Sequence, residues 1–292
     1  MSFNNPHIRL LSGYDMPLVG FGTFRIQGQQ TILDVVNECL KSGYRSIDTA
    51  AVYKNEADIG FALKTLLPKY NLKREDIFIT TKLSPHLNGN EEGIFNAVNQ
   101  SIKALNSSYL DLYLIHWPGA AGISESSNKN KNLRINTWKS LIKLQQQGLI
   151  RSLGVSNYTT KHLLELLEAF GDVIPSVNQV ECHPHYRQEY LRSFCQKKGI
   201  HIQAYSSLGT SSSNSLLKDP TIIEISSELN VSPARILLKW GLQQGIGIIP
   251  KAVKKEHIRD NIKLDFLIQE SQMHALSNLP QQKYAWDPIN VF

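Results

Sequence analysis

Residues Tyr44 to Thr81 read YRSIDTAAVYKNEADIGFALKTLLPKYNLKREDIFITT. Tyr44 to Asp48 is a short β-rich run. Asn55 to Leu66 places apolar residues at helical spacing, and Ile77 to Thr81 is again rich in β-branched residues. Strand, helix, strand in this length is the parallel βαβ pattern, and it recurs in both directions along the chain. Further strands are expected at Leu18 to Gly22, Leu110 to Ile115, Ser152 to Val155, Val177 to Val180, His201 to Ala204 and Gly247 to Ile249. Helical periodicity lies between them, at Thr31 to Leu40, Glu91 to Leu105, Ile135 to Gln147, Lys161 to Phe170 and Glu189 to Lys198. Eight such repeats predict a closed (β/α)8 barrel of the TIM type.

A doubly wound dinucleotide fold shares this alternation, but its fingerprint is missing. Gly20-Phe21-Gly22 begins like a G-x-G-x-x-G turn, yet Arg25 occupies the third glycine position. The chain has 292 residues and no Pro/Ser/Gly-rich linker, so residues 1–292 are expected to form a single barrel domain. Gly122 to Asn132 and Gly209 to Ser215 read as surface loops. Ahead of the first barrel strand, Ile8 to Leu10, Gly13 and Met16 to Leu18 predict an N-terminal β-hairpin that plugs one mouth. Gln269 to Leu276 has helical character. The C-terminal tail from Pro280 to Phe292 carries Tyr284, Trp286 and Phe292 without periodicity, and is expected over the other, active-site mouth.

Composition excludes several classes. Hydrophobic residues make up 41 % of the chain, enough for a large core, and no run of about 18 apolar residues marks a membrane span. Met1 to His7 does not read as an export signal. Cys39, Cys182 and Cys195 are odd in number and lack paired spacing, which suits buried reduced thiols and a cytoplasmic location. The formal charge of +6 is dispersed, apart from Lys251, Lys254, Lys255, His257, Arg259 and Lys263. That cluster is too local for a nucleic-acid footprint. It reads either as a solvated helix face or as the seat of one phosphorylated ligand.

Position points to chemistry. Asp48, Lys82, His116, Asn157, Gln179, Glu181, Tyr205 and Lys251 all fall at or just past the carboxyl end of an expected strand, the face that carries the active site in such barrels. Gly43-Tyr44-Arg45-Ser46-Ile47-Asp48-Thr49-Ala50, with Tyr53, Asn55 and Glu56, closely resembles the signature of the aldo-keto reductases, NAD(P)H-dependent reductases of aldehydes and ketones. The resemblance continues in order through Thr81-Lys82-Leu83, Leu112 to Pro118, Gly154 to Tyr158, Asn178 to Pro184 and Ile249-Pro250-Lys251.

The resemblance implies a tetrad of Asp48, Tyr53, Lys82 and His116. Tyr53 would protonate the carbonyl oxygen, and Lys82 would stabilise its phenolate, since a phenol titrating near ~10 is otherwise a poor donor at neutral pH. Asp48 would hold Lys82 in its charged form, while His116 would orient the carbonyl. It also implies NADPH as cofactor, with NADH as an alternative. Ser156, Asn157 and Gln179 would bind the nicotinamide carboxamide, Tyr205 would stack on the ring, and Thr23 and Asp48 would lie near it. Ser206 and Leu208 would line the cofactor cleft. Lys251, Ala252, Val253 and His257 would take the adenosine phosphate, with Asp260 and Asn261 by the adenine and its ribose. Phe24, Val52, Tyr53, His116, Trp117 and Trp286 would form an apolar pocket for a small carbonyl substrate. A monomer is implied, with no nucleic-acid or membrane partner.

Two departures stand out. Phe24 and Ser84 occupy places where many members carry Trp, which predicts a roomier pocket. The loop Ser206 to Lys218 is short, which predicts faster cofactor exchange. Other readings compete: a Schiff-base lyase on Lys82, a metal site on Glu181, His183 and His185, or a cofactor-binding barrel without catalysis. No metal is expected.

Overall fold

The computed structural model describes residues 5–171, 173–210 and 216–292; Met1 to Asn4 and residues 211–215 of the loop predicted after Tyr205 lie outside them. Strands β1 (His7–Arg9) and β2 (Asp15–Pro17) pair antiparallel as the expected hairpin. The sheet that follows is built from β3 (Phe21–Gly22), β4 (Ser46–Asp48), β5 (Phe78–Leu83), β6 (Leu110–Ile115), β7 (Ile150–Ser156), β8 (Val177–Glu181), β9 (His201–Tyr205) and β10 (Gly247–Ile248). These eight strands run parallel in sequence order. The barrel closes where Val19 bridges to Ile248: Ile248 N donates to Leu18 O at 2.7 Å and Gly20 N donates to Ile248 O at 2.8 Å.

Around the barrel lie α1 (Gln29–Ser42), α2 (Glu56–Lys69), α3 (Glu91–Ala104), α4 (Lys129–Gln146), α5 (Thr160–Phe170), α6 (Glu189–Lys197), α7 (Pro220–Glu228), α8 (Pro233–Gln243) and α9 (Lys255–Asn261), with α10 (Glu270–Ser277) beyond. The periodicity places most of these within a few residues. Helix α4 starts six residues before the expected Ile135, because its first turn is polar and the pattern is silent there. Buried Asn130 holds that turn, accepting from Ala120 N and donating to Ser124 O. Two helices, neither read from the periodicity, separate β9 from β10. Each starts with Pro at its first position and a capping side chain, Asp219 for α7 and Ser232 for α8.

The apolar residues divide into two cores. The large one fills the space between strands and helices and runs from Val19 to Leu279. The small one, Leu10, Met16, Phe78, Leu112, Leu114 and Val177, is the floor of the barrel interior, where hairpin residues Leu10 and Met16 stop the amino end. Above that floor the interior becomes polar, with Gln203, Gln179, Asp48 and Lys82 all buried. A parallel sheet covered on both faces gives every residue of β5 and β6 a buried side chain, so burial alone does not tell inward from outward positions.

Candidate active site

Asp48 ends β4 in register with Thr80, and Lys82 lies two residues further along β5, so alternation turns Lys82 to the same interior side. The Lys82 ammonium is 2.7 Å from Asp48 Oδ1, 2.8 Å from Oδ2 and 2.9 Å from the Thr49 carbonyl. Its Nζ also reaches the Tyr53 hydroxyl at 3.4 Å. With side chains only 1 % and 4 % exposed, this is a desolvated pair, weak as a source of net stability but costly to break from one side.

Tyr53 is aimed by its loop. A single 3-10 turn, Ala51–Tyr53, ends at Lys54 with φ 56°, a left-handed conformation that turns the chain back into α2. Asn55, fully buried, accepts from Thr49 Oγ1 and donates to the carbonyls of Thr23 and Ile26. Gln27 donates to the Tyr53 carbonyl at 2.6 Å. The loops after β3 and β4 are thereby tied together, with the Phe24 ring 5.0 Å from that of Tyr53. Thr23, through its backbone N–H and its hydroxyl, donates to the Asp48 carbonyl. Sequence reasoning used Asn55 only as part of a motif and passed over Gln27, which has no local pattern to mark it.

His116 follows β6, and its ring centroid lies 5.7 Å from that of Tyr53. Asp48, Tyr53, Lys82 and His116 are thus brought together at the carboxyl mouth. Ser156, Asn157, Gln179 and Tyr205 adjoin them; the side chains of Ser156, Asn157 and Tyr205 are linked to one another, while the Gln179 amide donates to Asp48 and Gln203. Asn157 donates to the His116 carbonyl and to Ser156 Oγ, and accepts from Tyr205 OH at 2.6 Å. Ser156 Oγ donates to the Gln179 carbonyl. Asn157 and Ser206 both sit at positive φ, 65° and 51°, as residues at strained functional loops often do.

Burial raises the Tyr53 phenol above its ordinary value. The Lys82 charge pulls it down, as the sequence argument expects, but does not offset burial. Burial is the largest single influence on the Lys82 ammonium and works against it, yet Asp48 and Tyr53 together outweigh it and hold Lys82 above the usual lysine range. Burial first, and the Lys82 charge second, depress His116 to about 3, so its ring is neutral at physiological pH.

His162 and His201 are likewise depressed by burial to about 4. An unfolded imidazole titrates near ~6.5, so below that pH the unfolded chain takes up protons that these folded rings refuse. Their contribution is fully present above about pH 6.5 and declines toward about pH 4, by at most about 1.4 kcal/mol per pH unit for each ring. The urea midpoint should therefore drop clearly between about pH 7 and about pH 5. A flat midpoint over that interval would show that these rings are protonated in the folded protein.

A cavity of about 350 Å³ is lined by Leu208, Lys251, Ala252, His257, Asp260 and Asn261, residues the resemblance assigns to the cofactor, and by Ser232, among others. Val253 is exposed beside it. Arg259, grouped in sequence with the basic cluster, is already paired: its guanidinium holds both Glu38 carboxylate oxygens, Nε at 2.6 Å and Nη2 at 3.1 Å. A larger cavity of about 550 Å³ lies at the hairpin end, among His7, Tyr14, Arg45, Asp111 and Arg151, away from the tetrad. Its size reflects an open surface recess. The convergent chemistry is at the other mouth.

Glu181, at the end of β8, anchors the tail. Its carboxylate accepts from Lys283 Nζ, Tyr284 N, Ala285 N and His183 Nε2. His185 bonds Tyr284 OH and Asp219, so the Glu181, His183 and His185 side chains each have other work than a metal. Further on, buried Arg134 donates to the Phe292 carbonyl and His162 bonds that of Val291. Between these two anchors Trp286 is 71 % exposed, whereas Phe24 and Val52 are about equally open and Trp117 is half-buried.

A family model described as Aldo/keto reductase family matches residues 18–279. The chain belongs to the aldo/keto reductase family. It is 37 % identical to the glyoxal reductase of Bacillus subtilis over 93 % of this chain and 92 % of that one. It is 34 % identical to a yeast protein, glycerol 2-dehydrogenase (NADP(+)) of Saccharomyces cerevisiae, over 98 % and 96 % of the two chains. Among solved structures, an aldo/keto reductase from Brucella melitensis superposes with a TM-score of 0.83 at 36 % identity, covering 94 % of this chain and 99 % of that one. An aldo-keto reductase from a deep-sea metagenome library gives 0.87 at 32 % identity over 98 % and 99 %. This aldo/keto reductase is an oxidoreductase with the (β/α)8 fold of its neighbours, and among its described residues no helix is long and apolar enough to cross a membrane.

Proposed function

We propose that this aldo/keto reductase reduces small aldehydes and ketones to alcohols with NADPH, Tyr53 giving the proton to the carbonyl oxygen. The carrying observation is the Lys82 ammonium, held on both oxygens of Asp48 and 3.4 Å from the Tyr53 hydroxyl. When bound, the reduced nicotinamide supplies hydride to the carbonyl carbon. The carbonyl oxygen then becomes alkoxide-like, a much stronger base than phenolate, so a phenol kept protonated by burial can still donate to it. Lys82 stabilises the phenolate left behind, worth more in a site that excludes water. Neutral His116 offers a ring N–H to the same oxygen and fixes its position. Phe24, Val52 and Trp117 give the carbonyl's substituent an apolar wall, with Trp286 on the tail as a cover that closes over it.

The residues present fit the cofactor. Gln179 Oε1 has no partner among the described residues, and the cavity offers the Lys251 ammonium and the His257 imidazole beside Asp260 and Asn261. Ser156, Asn157, Gln179 and Tyr205 would hold the nicotinamide end, with Thr23, Ser206 and Leu208 beside it. Both Asn157 amide hydrogens are used by the His116 carbonyl and Ser156 Oγ, but Oδ1 accepts only from Tyr205 and has a second lone pair for a carboxamide N–H. Lys251, Ala252, Val253 and His257 would hold the 2′-phosphate. The protein is proposed to act as one cytoplasmic, monomeric domain over residues 1–292. Purified protein should consume NADPH when given a reactive aldehyde such as 4-nitrobenzaldehyde and release the alcohol. Tight NADPH binding without any aldehyde consumption would favour the non-catalytic reading.

Cofactor preference should depend on pH. Ala252 and His257 stand where many family members that this chain resembles carry Ser and Arg, and each charge-assisted bond so lost is worth about 1.5–3 kcal/mol. An imidazole beside a phosphate dianion gains its proton as pH falls from about 8 to about 6. The ratio of NADH to NADPH dissociation constants should therefore rise over that range, and His257→Arg should raise it and flatten its slope. A large, pH-independent preference untouched by His257→Arg would remove His257 from the phosphate site.

A further inference from the structure

Gln203 lies in mid-strand on β9, in register with Gln179 on β8, and is fully buried. Gln179 Nε2 donates to two acceptors, Asp48 Oδ2 at 2.7 Å and Gln203 Oε1 at 2.8 Å. Gln203 Nε2 points the other way, toward Met16 Sδ at 4.0 Å. A continuous line of polar contacts therefore crosses the barrel interior, from the hairpin plug through Gln203 and Gln179 to Asp48, and on through Lys82 to the Tyr53 hydroxyl.

We infer that Gln203 is a positioning residue that fixes the orientation of the Gln179 amide, and through it both the Asp48 carboxylate and the atom presented to the nicotinamide. The reason is donor and acceptor counting. An amide nitrogen has two hydrogens, and both are placed here on acceptors. Turning the Gln179 amide over would set its oxygen against the Asp48 carboxylate and the Gln203 oxygen together, two repulsive contacts in a dry interior. Without Gln203 Oε1, one of the two contacts that oppose the flip is gone and one N–H is left buried without an acceptor. Gln203 thus keeps Gln179 Oε1 facing the cleft while its N–H holds Asp48 in line for Lys82. Gln203 is fully buried, so its effect on the cleft passes through Gln179. The strand-end pattern that revealed the other site residues does not include it.

This inference rests on the nicotinamide reading above, and its test separates the two. Gln203→Met keeps length and volume but removes the acceptor. It should weaken NADP+ binding about tenfold, the scale of one lost hydrogen bond, and lower kcat by a similar factor. Binding of 2′-phosphoadenosine 5′-diphosphoribose, which lacks the ring, should be unchanged by calorimetry. Made in a Gln179→Met background, the same substitution should change NADP+ affinity less than about twofold, because its route of action is gone. Equal weakening of both nucleotides, or a full tenfold effect in the Gln179→Met background, would overturn the proposal. If Gln203→Met does not fold, Gln203→Glu, which keeps the acceptor oxygen as a buried neutral acid, must hold NADP+ affinity within about threefold, and a tenfold loss there overturns it as well. Wild-type protein that binds neither nucleotide would instead bring down the cofactor reading itself, before any variant is compared.

Discussion

Tyr53→Phe should lower kcat for aldehyde reduction by about 10²–10⁴, the usual worth of a positioned acid, while leaving NADPH affinity nearly unchanged. The substitution removes one hydroxyl. The ring keeps its place against Phe24 and His116, and the loop keeps its bonds from Asn55 and Gln27, which reach backbone and not the phenol. Stability should therefore change little, so the loss is a loss of proton transfer. Single-turnover measurements, in which chemistry limits the rate, are the decisive readout. A rate within a few-fold of wild type would mean that His116 or water supplies the proton.

Lys82→Met should be at least as damaging to turnover, and should also cost stability, which separates it from Tyr53→Phe. Its ammonium has three acceptors in Asp48 and Thr49, and it faces the Tyr53 oxygen. Removing one partner of a buried pair usually costs about 3–5 kcal/mol, because the other charge is left uncompensated. Gln179 Nε2 still donates to Asp48 and offsets part of that. The catalytic effect is separated from the folding effect only when it is measured on protein shown to be folded. Far-UV circular dichroism and the urea midpoint provide that check. Folded Lys82→Met protein with near-normal turnover would show that the phenolate needs no cation, and would dismiss the Schiff-base reading with it.

The tetrad was legible because it sits at strand ends that periodicity locates. Asp48, Lys82 and His116 each close a β-rich run, and Tyr53 follows Asp48 closely enough for one loop to present both. Gln203 and Arg134 were not legible. Gln203 is a polar residue inside an apolar run and Arg134 lies in a polar stretch without pattern, and what each does depends on groups far away in the chain: Gln179 for the first, Glu165, Pro118 and Phe292 for the second. Glu181 was located correctly at a strand end, but three of its four carboxylate partners are 102 to 104 residues away in an aperiodic tail.

By itself, then, the sequence determined the barrel, the order of its strands, the hairpin and the rim on which the chemistry lies. These follow from local spacing of apolar residues and from motifs shorter than about ten residues, which act through the period of a strand or a helix. Only the tertiary structure decided the charge states and the orientations. The phenol of Tyr53 is raised, not lowered, because desolvation outweighs the nearby ammonium. Arg259 is spent on Glu38, and the Gln179 amide is turned by Gln203. Desolvation and hydrogen-bond direction depend on everything that surrounds a group in space, and closing the barrel is what brings those surroundings together.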